Sequence, residues 1–138
     1  MIIFPSLSKK LGDMEQLPDR SPTLRVVPMP ADANQHGDIF GGWIMSQVDI
    51  SGAIVASERA KGMVVTVAVQ AFVFRAPVFM GDVLSFYAEV EKVGNTSITV
   101  NVEVYAQRNP EDVEVAKVTE ATLTYVAIGK DKRPRPVQ

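Results

Sequence analysis

From residue 83 to residue 127 the chain alternates apolar and polar positions with a period of two. In VLSFYAEVEKV (83–93), Leu84, Phe86, Ala88 and Val90 alternate with Ser85, Tyr87, Glu89 and Glu91, the spacing of a half-buried strand. Gly-Asn-Thr at 94–96 predicts a turn, because Gly and Asn tolerate positive φ. SITVNVEVYAQ (97–107) repeats the alternation with Ile98, Val100, Val102 and Val104, so the two segments predict a hairpin. After a turn at NPED, VEVAKVTEATLTYVAIG (113–129) predicts a last long strand. Upstream, MVVTVAVQAFVFR (63–75) is dense in Val and Phe, the mark of a strand buried on one face and partly on the other, and PVFMGD ends it. TLRVVPMP (23–30) makes a short strand, stopped by Pro28 and Pro30 because proline cannot supply a ladder N–H.

One segment carries a different period. GGWIMSQVDISGAIVASERA predicts a helix beginning near Gly41, with Gly62 placed to cap its C-terminal end. The predicted architecture is an α+β domain: a curved antiparallel sheet of about five strands, the last four in a meander, with one long helix lying across it. One helix leaves sheet surface and an edge uncovered, so self-association is expected. Residues 1–22 read as a loosely held arm, 23–129 as the domain and 130–138 as a basic, proline-rich tail, extended unless docked.

Composition narrows the chemistry. With 138 residues, one domain of ordinary size is expected, and 46% hydrophobic and 22% charged residues are ordinary globular values. A formal net charge of -2 argues against general nucleic-acid affinity, which needs a basic surface. The absence of cysteine removes disulfides and thiolate chemistry, and a single histidine speaks against a zinc site, so no metal is expected. The apolar run at the start is short, broken by Pro5 and followed by its lysines, unlike a secretion signal, and no segment is long enough to span a bilayer. The expected location is cytoplasmic, without membrane attachment.

Carboxylates, amides and hydroxyls remain. Asp49 interrupts the apolar helix, and at 100° per residue Gly42, Met45, Ser46, Gly52, Ala53, Ala56 and Ala60 fall within roughly 60° of it. Gln47, Ser51, Glu58, Ile44 and Ile54 fall on the other side. This centres Asp49 on a small-residue face open to close approach, although a water-satisfied surface carboxylate fits the residue type equally well. Gly41 and Gly42 occupy the first helical turn, where backbone N–H groups lack intrahelical partners and can polarise a carbonyl. Asn34, in the loop before, either holds a water or carbonyl or closes an Asx turn, and His36 reads as an exposed loop residue.

MPADANQHGDIFGGWIMSQVDISGAIVA, VVTVAVQAFVFRAPVFMGDVLSFYAEVEKVGNTSITVNVEV and ATLTYVAI together resemble the YciA-type acyl-CoA thioesterases of the hotdog-fold superfamily. The resemblance runs from about residue 24 to the tail. It implies a hotdog fold pairing into a double-hotdog dimer, trimers of such dimers (a hexamer), active sites at the dimer interface, and hydrolysis of acyl-CoA to CoA and a carboxylic acid, a reaction of fatty acid metabolism without a cofactor. By position it makes Asp49 the catalytic aspartate, Asn34 the residue placing water or thioester, and Gly42, with Gly41, the carbonyl-polarising entrance; it assigns His36 no role. Asp49 then serves as general base or as nucleophile. Arg75, Thr96, Ser97, Lys132 and Arg133 are the candidates for CoA, with Lys130 and Arg135 beside them, and Phe40, Trp43 and Met45 for the acyl chain. A noncatalytic acyl-CoA sensor or carrier and an enoyl-CoA hydratase are the competing functions on such a fold.

Overall fold

The computed structural model describes residues 15–137; the first fourteen residues of the expected arm lie outside them. The chain forms β1 (Leu24–Val26), a 3-10 turn (Pro30–Asp32), α1 (Gly41–Ala60), β2 (Val64–Phe74), β3 (Val83–Val93), β4 (Ser97–Arg108) and β5 (Glu114–Ala127). The strands make one antiparallel sheet in the order β1-β3-β4-β5-β2.

The alternating residues face inward as their period requires. Leu84, Phe86, Ile98, Val100, Val102, Val104, Val118, Leu123 and Tyr125 are buried, and α1 lays Ile44, Val48, Ala56 and Ala60 against them. Burial of this continuous apolar set is what holds helix to sheet. The polar face of β3 is partly shielded too. Arg20 lies 5.3 Å over the Tyr87 ring and pairs with Glu89 at 2.6 Å and Glu103 at 3.2 Å, while Arg25 donates to Ser85 at 2.8 Å. Tyr87 and Ser85 are consequently buried despite facing away from the helix.

The structure differs from the pattern-based expectation in four places. First, only β3, β4 and β5 form a meander; β2 pairs with β5, and residues 75–82 carry the chain across the end of the sheet toward β3. Ala76 and Val78 bury this crossing, and Arg108 at the end of β4 pins it by donating to Pro77 O and to both Asp82 carboxylate oxygens. Second, β2 is an edge strand whose Val65, Val67, Val69 and Val73 are exposed, because none of the described residues covers them.

Third, the left-handed residue ending α1 is Lys61 (φ 55), with Lys61 N–H and Gly62 N–H closing on Glu58 O and Ser57 O. Gly62 has a different reason to lack a side chain: a Cβ there would lie 2.6 Å from the Arg135 guanidinium, which donates to Ala60 O at 2.7 Å. The tail carrying Arg135 folds back, with Ile128 bridging Pro134 and Val137 buried. Fourth, the packed face of α1 centres on Ile44, Val48, Ser51, Gly52 and Ala56, whereas Gly42 and Met45 are exposed. The buried set joins two bulky residues, Ile44 and Val48, to the small Ser51, Gly52, Ala56 and Ala60, and Ser51 tolerates burial by donating to Val48 O within its own helix. Asp49 therefore lies on the flank of the packed face.

Candidate active site

Asp49 is one residue past Val48, which is wholly buried, and this rotates its side chain from the core toward the margin between α1 and β2. Thr66 of β2 donates its hydroxyl to Asp49 Oδ1 at 2.7 Å. Tyr125 of β5 reaches the same Oδ1 at 3.1 Å and the Asp49 main-chain O at 2.9 Å. No described residue donates to Oδ2.

Burial, the charge of Asp49 and the hydrogen bond to it push the Tyr125 hydroxyl far above the ordinary tyrosine range, so it stays protonated and remains a donor. Gly52 makes room for it. A Cβ at Gly52 would sit 2.3 Å from the Tyr125 hydroxyl oxygen. Sequence reasoning found Asp49 but missed both partners, which lie 17 and 76 residues away. The available signals were a threonine inside an otherwise apolar strand and a glycine inside a helix, and each has commoner explanations.

The helix entrance is open. Phe40 is the N-cap, and no side chain caps the helix there. The Gly41 and Gly42 N–H groups precede the first intrahelical acceptors. A Cβ on Gly41 would touch the Phe74 ring at 3.2 Å, whereas one on Gly42 would meet nothing within 4 Å, so Gly42 is the accessible position. Gly42 and Asp49 are seven residues apart, about 10 Å along the axis at 1.5 Å per residue. A thioester carbonyl within hydrogen-bonding distance of one cannot reach the other on the same helix.

Asn34 Oδ1 accepts from His36 N–H at 2.8 Å and Asp38 N–H at 3.2 Å, forming the Asx turn. This fixes the amide so that Nδ2, for which no described residue is an acceptor, remains available to donate. His36 is exposed, with Gln35 3.5 Å from its ring.

The remaining candidates fall into two groups. Phe40 is exposed and Trp43 half-buried at the start of α1, and Arg75 follows Phe74, whose ring touches Gly41. Thr96, Ser97, Lys132 and Arg133 lie at the opposite end, where Thr96 O accepts from Ala127 N–H and Asn95 O from Val137 N–H. The twenty residues of α1, about 30 Å, separate the groups. Among the described residues no three His, Asp or Glu side chains cluster as a metal site, and no helix is long and apolar enough to cross a membrane.

One long helix wrapped by a five-stranded antiparallel sheet is the hotdog fold. Residues 36–113 match the thioesterase superfamily, and the chain belongs to that family. It is 48% identical over 126 residues to the acyl-CoA thioester hydrolase YciA of Salmonella typhimurium, covering 90% of this chain and 95% of that one. A hexameric thioesterase from Yersinia pestis matches with a TM-score of 0.83 and 47% identity over 88% of this chain and 99% of its own. A hexameric hotdog-fold thioesterase of Campylobacter jejuni matches with a TM-score of 0.82 and 46% identity over 86% of this chain and 91% of its own.

Proposed function

We propose that this protein is an acyl-CoA thioester hydrolase whose reacting group is Asp49. The observation that carries the reading is the Asp49 carboxylate, engaged through Oδ1 by two neutral hydroxyls, while none of the described residues donates to Oδ2. As a general base it takes a proton from water while the oxygen adds to the thioester carbon; the C–S bond then breaks and the CoA sulfur leaves as thiol with a returned proton. In the alternative route Oδ2 attacks the same carbon, the C–S bond breaks and CoA leaves as a thiolate that takes a proton from solvent, and water opens the resulting anhydride to the carboxylic acid and the regenerated Asp49. No cofactor is invoked in either.

The oxyanion that develops is stabilised by amides at a helix entrance. The separation of about 10 Å between Gly42 and Asp49 supports a second protomer as the source of that entrance, supplying Gly42, Gly41 and Asn34 opposite Asp49. The exposed valines of the β2 edge support such pairing: joining two β2 edges covers them and extends the sheet into a double hotdog. Three such dimers make a hexamer, the state of the Yersinia and Campylobacter relatives. Phe40 and Trp43 then border the acyl chain, while Arg75 and the Thr96, Ser97, Lys132 and Arg133 group meet CoA from different protomers. The enzyme works in the cytoplasm in this reading.

The test is thiol release from short, medium and long acyl-CoAs by wild type and Asp49→Asn. Turnover by the wild type, lost in the variant, is expected; full activity in Asp49→Asn removes Asp49 from the reaction. Tight acyl-CoA binding without turnover would instead identify a sensor or carrier. A hydratase needs a histidine beside the aspartate, and His36 is an exposed loop residue.

A further inference from the structure

Tyr125 offers two features that core filling alone does not require. Its ring is completely buried among apolar side chains, yet its hydroxyl emerges at the helix backbone beside Asp49. The helix also gives up a side chain at Gly52 to admit that hydroxyl, since any Cβ there would lie 2.3 Å from it. A phenylalanine would fill the same core without the polar contact, and an alanine in the helix interior would be about 1 kcal/mol better than glycine on propensity.

We propose that Tyr125 is a positioning residue for Asp49: its hydroxyl joins that of Thr66 in holding Oδ1, which turns Oδ2 outward as the oxygen that reacts. The inference rests on the hydrolase reading and deepens it by assigning the two carboxylate oxygens different roles. Thr66 donates at 2.7 Å from the strand at the sheet edge, and Tyr125 at 3.1 Å from the next strand in. Two donors from two strands fix both the position and the plane of the carboxylate, where one would leave it free to swing.

The hydroxyl has a single proton and two acceptors in reach, Oδ1 and the Asp49 main-chain O. An ionised carboxylate is the stronger acceptor, so the proton faces Oδ1 while Asp49 carries its charge. When Asp49 accepts a proton or is acylated, the Tyr125 proton can turn to the main-chain oxygen without leaving its cavity. Among the described residues, Thr66 of β2 and Tyr125 of β5 are the groups that hydrogen-bond to the Asp49 side chain; Tyr125 is the titratable one.

The experiment compares wild type, Tyr125→Phe and Gly52→Ala in steady-state thiol release from pH 5 to 9. Phe retains the ring volume and removes the donor; the Gly52→Ala methyl displaces the hydroxyl while the tyrosine remains. Both variants are expected to lose about tenfold in kcat with KM changed less than about twofold, because Tyr125 does not touch substrate. The thermal midpoint of each variant is read beside the kinetics, and kcat is expected to fall in a folded enzyme. Unchanged kcat in Tyr125→Phe overturns the proposal, and so does a fall in kcat matched by an equal rise in KM, the mark of a distorted substrate site. If Tyr125→Phe does not fold, Gly52→Ala decides by the same criteria. A wild type without thiol release overturns the hydrolase reading instead. Positioning is then read from the 13C resonance of the Asp49 carboxyl at one fixed pH, which must differ between wild type and the variants if Tyr125 holds it.

Discussion

Asp49 and Asp82 are both aspartates next to apolar core, and the chain holds them in opposite ways. Asp82 is 2% exposed, and both its oxygens are engaged: Oδ1 by Arg108 Nε at 3.2 Å, Oδ2 by Arg108 at 2.9 Å and by Phe79 N–H at 2.9 Å. Arg108 also stacks 5.0 Å from the Phe79 ring, so the carboxylate, the cation and the crossing between β2 and β3 form one fixed unit. Among the described residues Asp49 pairs with no cation; it has two neutral donors on one oxygen and a partly exposed position. A carboxylate whose charge and lone pairs are fully answered serves the fold. One that is oriented but left with an unengaged oxygen retains the capacity to take a proton or attack carbon.

The sharpest way to break this contrast is to neutralise each aspartate's function. Asp49→Asn is expected to lower thioester hydrolysis by about a thousandfold while moving the thermal midpoint by less than about 2 °C. Thiol release and a thermal melt on the same preparation check both halves. Arg108→Ala should do the reverse, leaving Asp82 buried without its cation at a cost of about 3 kcal/mol, or about 10 °C in Tm, with kcat/KM at 20 °C within about threefold of wild type. A collapse of activity in the intact, folded Arg108 variant would erase the distinction between the two sites.

A third prediction asks which aspartate depends on a neighbour. Val67→Lys, at the exposed edge, should split the assembly in light scattering and lower activity at least about tenfold, while the Arg108–Asp82 unit, internal to one chain, keeps the protomer folded.

The smallest effect is in pH. Burial raises the Asp82 pKa above 3.8, despite the lowering by the Phe79 N–H and Arg108. Between 3.8 and that raised value the folded chain binds more protons than the unfolded one, so Asp82's contribution to stability declines as pH rises through the window. Glu120 provides the opposite slope. Hydrogen bonds from Lys117 and Asn101 lower its pKa below 4.5, so its contribution is present above 4.5 and is lost as pH falls through the lowered value. Urea unfolding of Asp82→Asn and Glu120→Gln against wild type between pH 3 and 6 reads both signs.

Much of the fold was legible because alternation and helical period are local. The hairpin at 94–96, the inward set on β3 and β4 and the single helix from Gly41 follow from them directly. Strand order was not legible: that β2 pairs with β5 depends on a crossing whose pins, Asp82 and Arg108, are far apart in sequence. At the site, Asp49 stood out as a charge in an apolar helix. Its face was legible in part: Gly52, Ala56 and Ala60 are buried, but Ile44, Val48 and Ser51 from the other side are buried with them, which moves the packed face off Asp49. Thr66 and Tyr125 could not be assigned from the sequence, since a strand's pattern tells which way a side chain points and not which helix residue it meets.

The space at Gly52 also constrains how such a chain can change over time. A Cβ at position 52 would lie 2.3 Å from the hydroxyl at position 125, so the two positions constrain each other. A lineage that gains a larger residue at 52 must displace the hydroxyl from Asp49 or give up the tyrosine. One that loses the tyrosine is released from keeping glycine there, and its helix then drifts toward alanine.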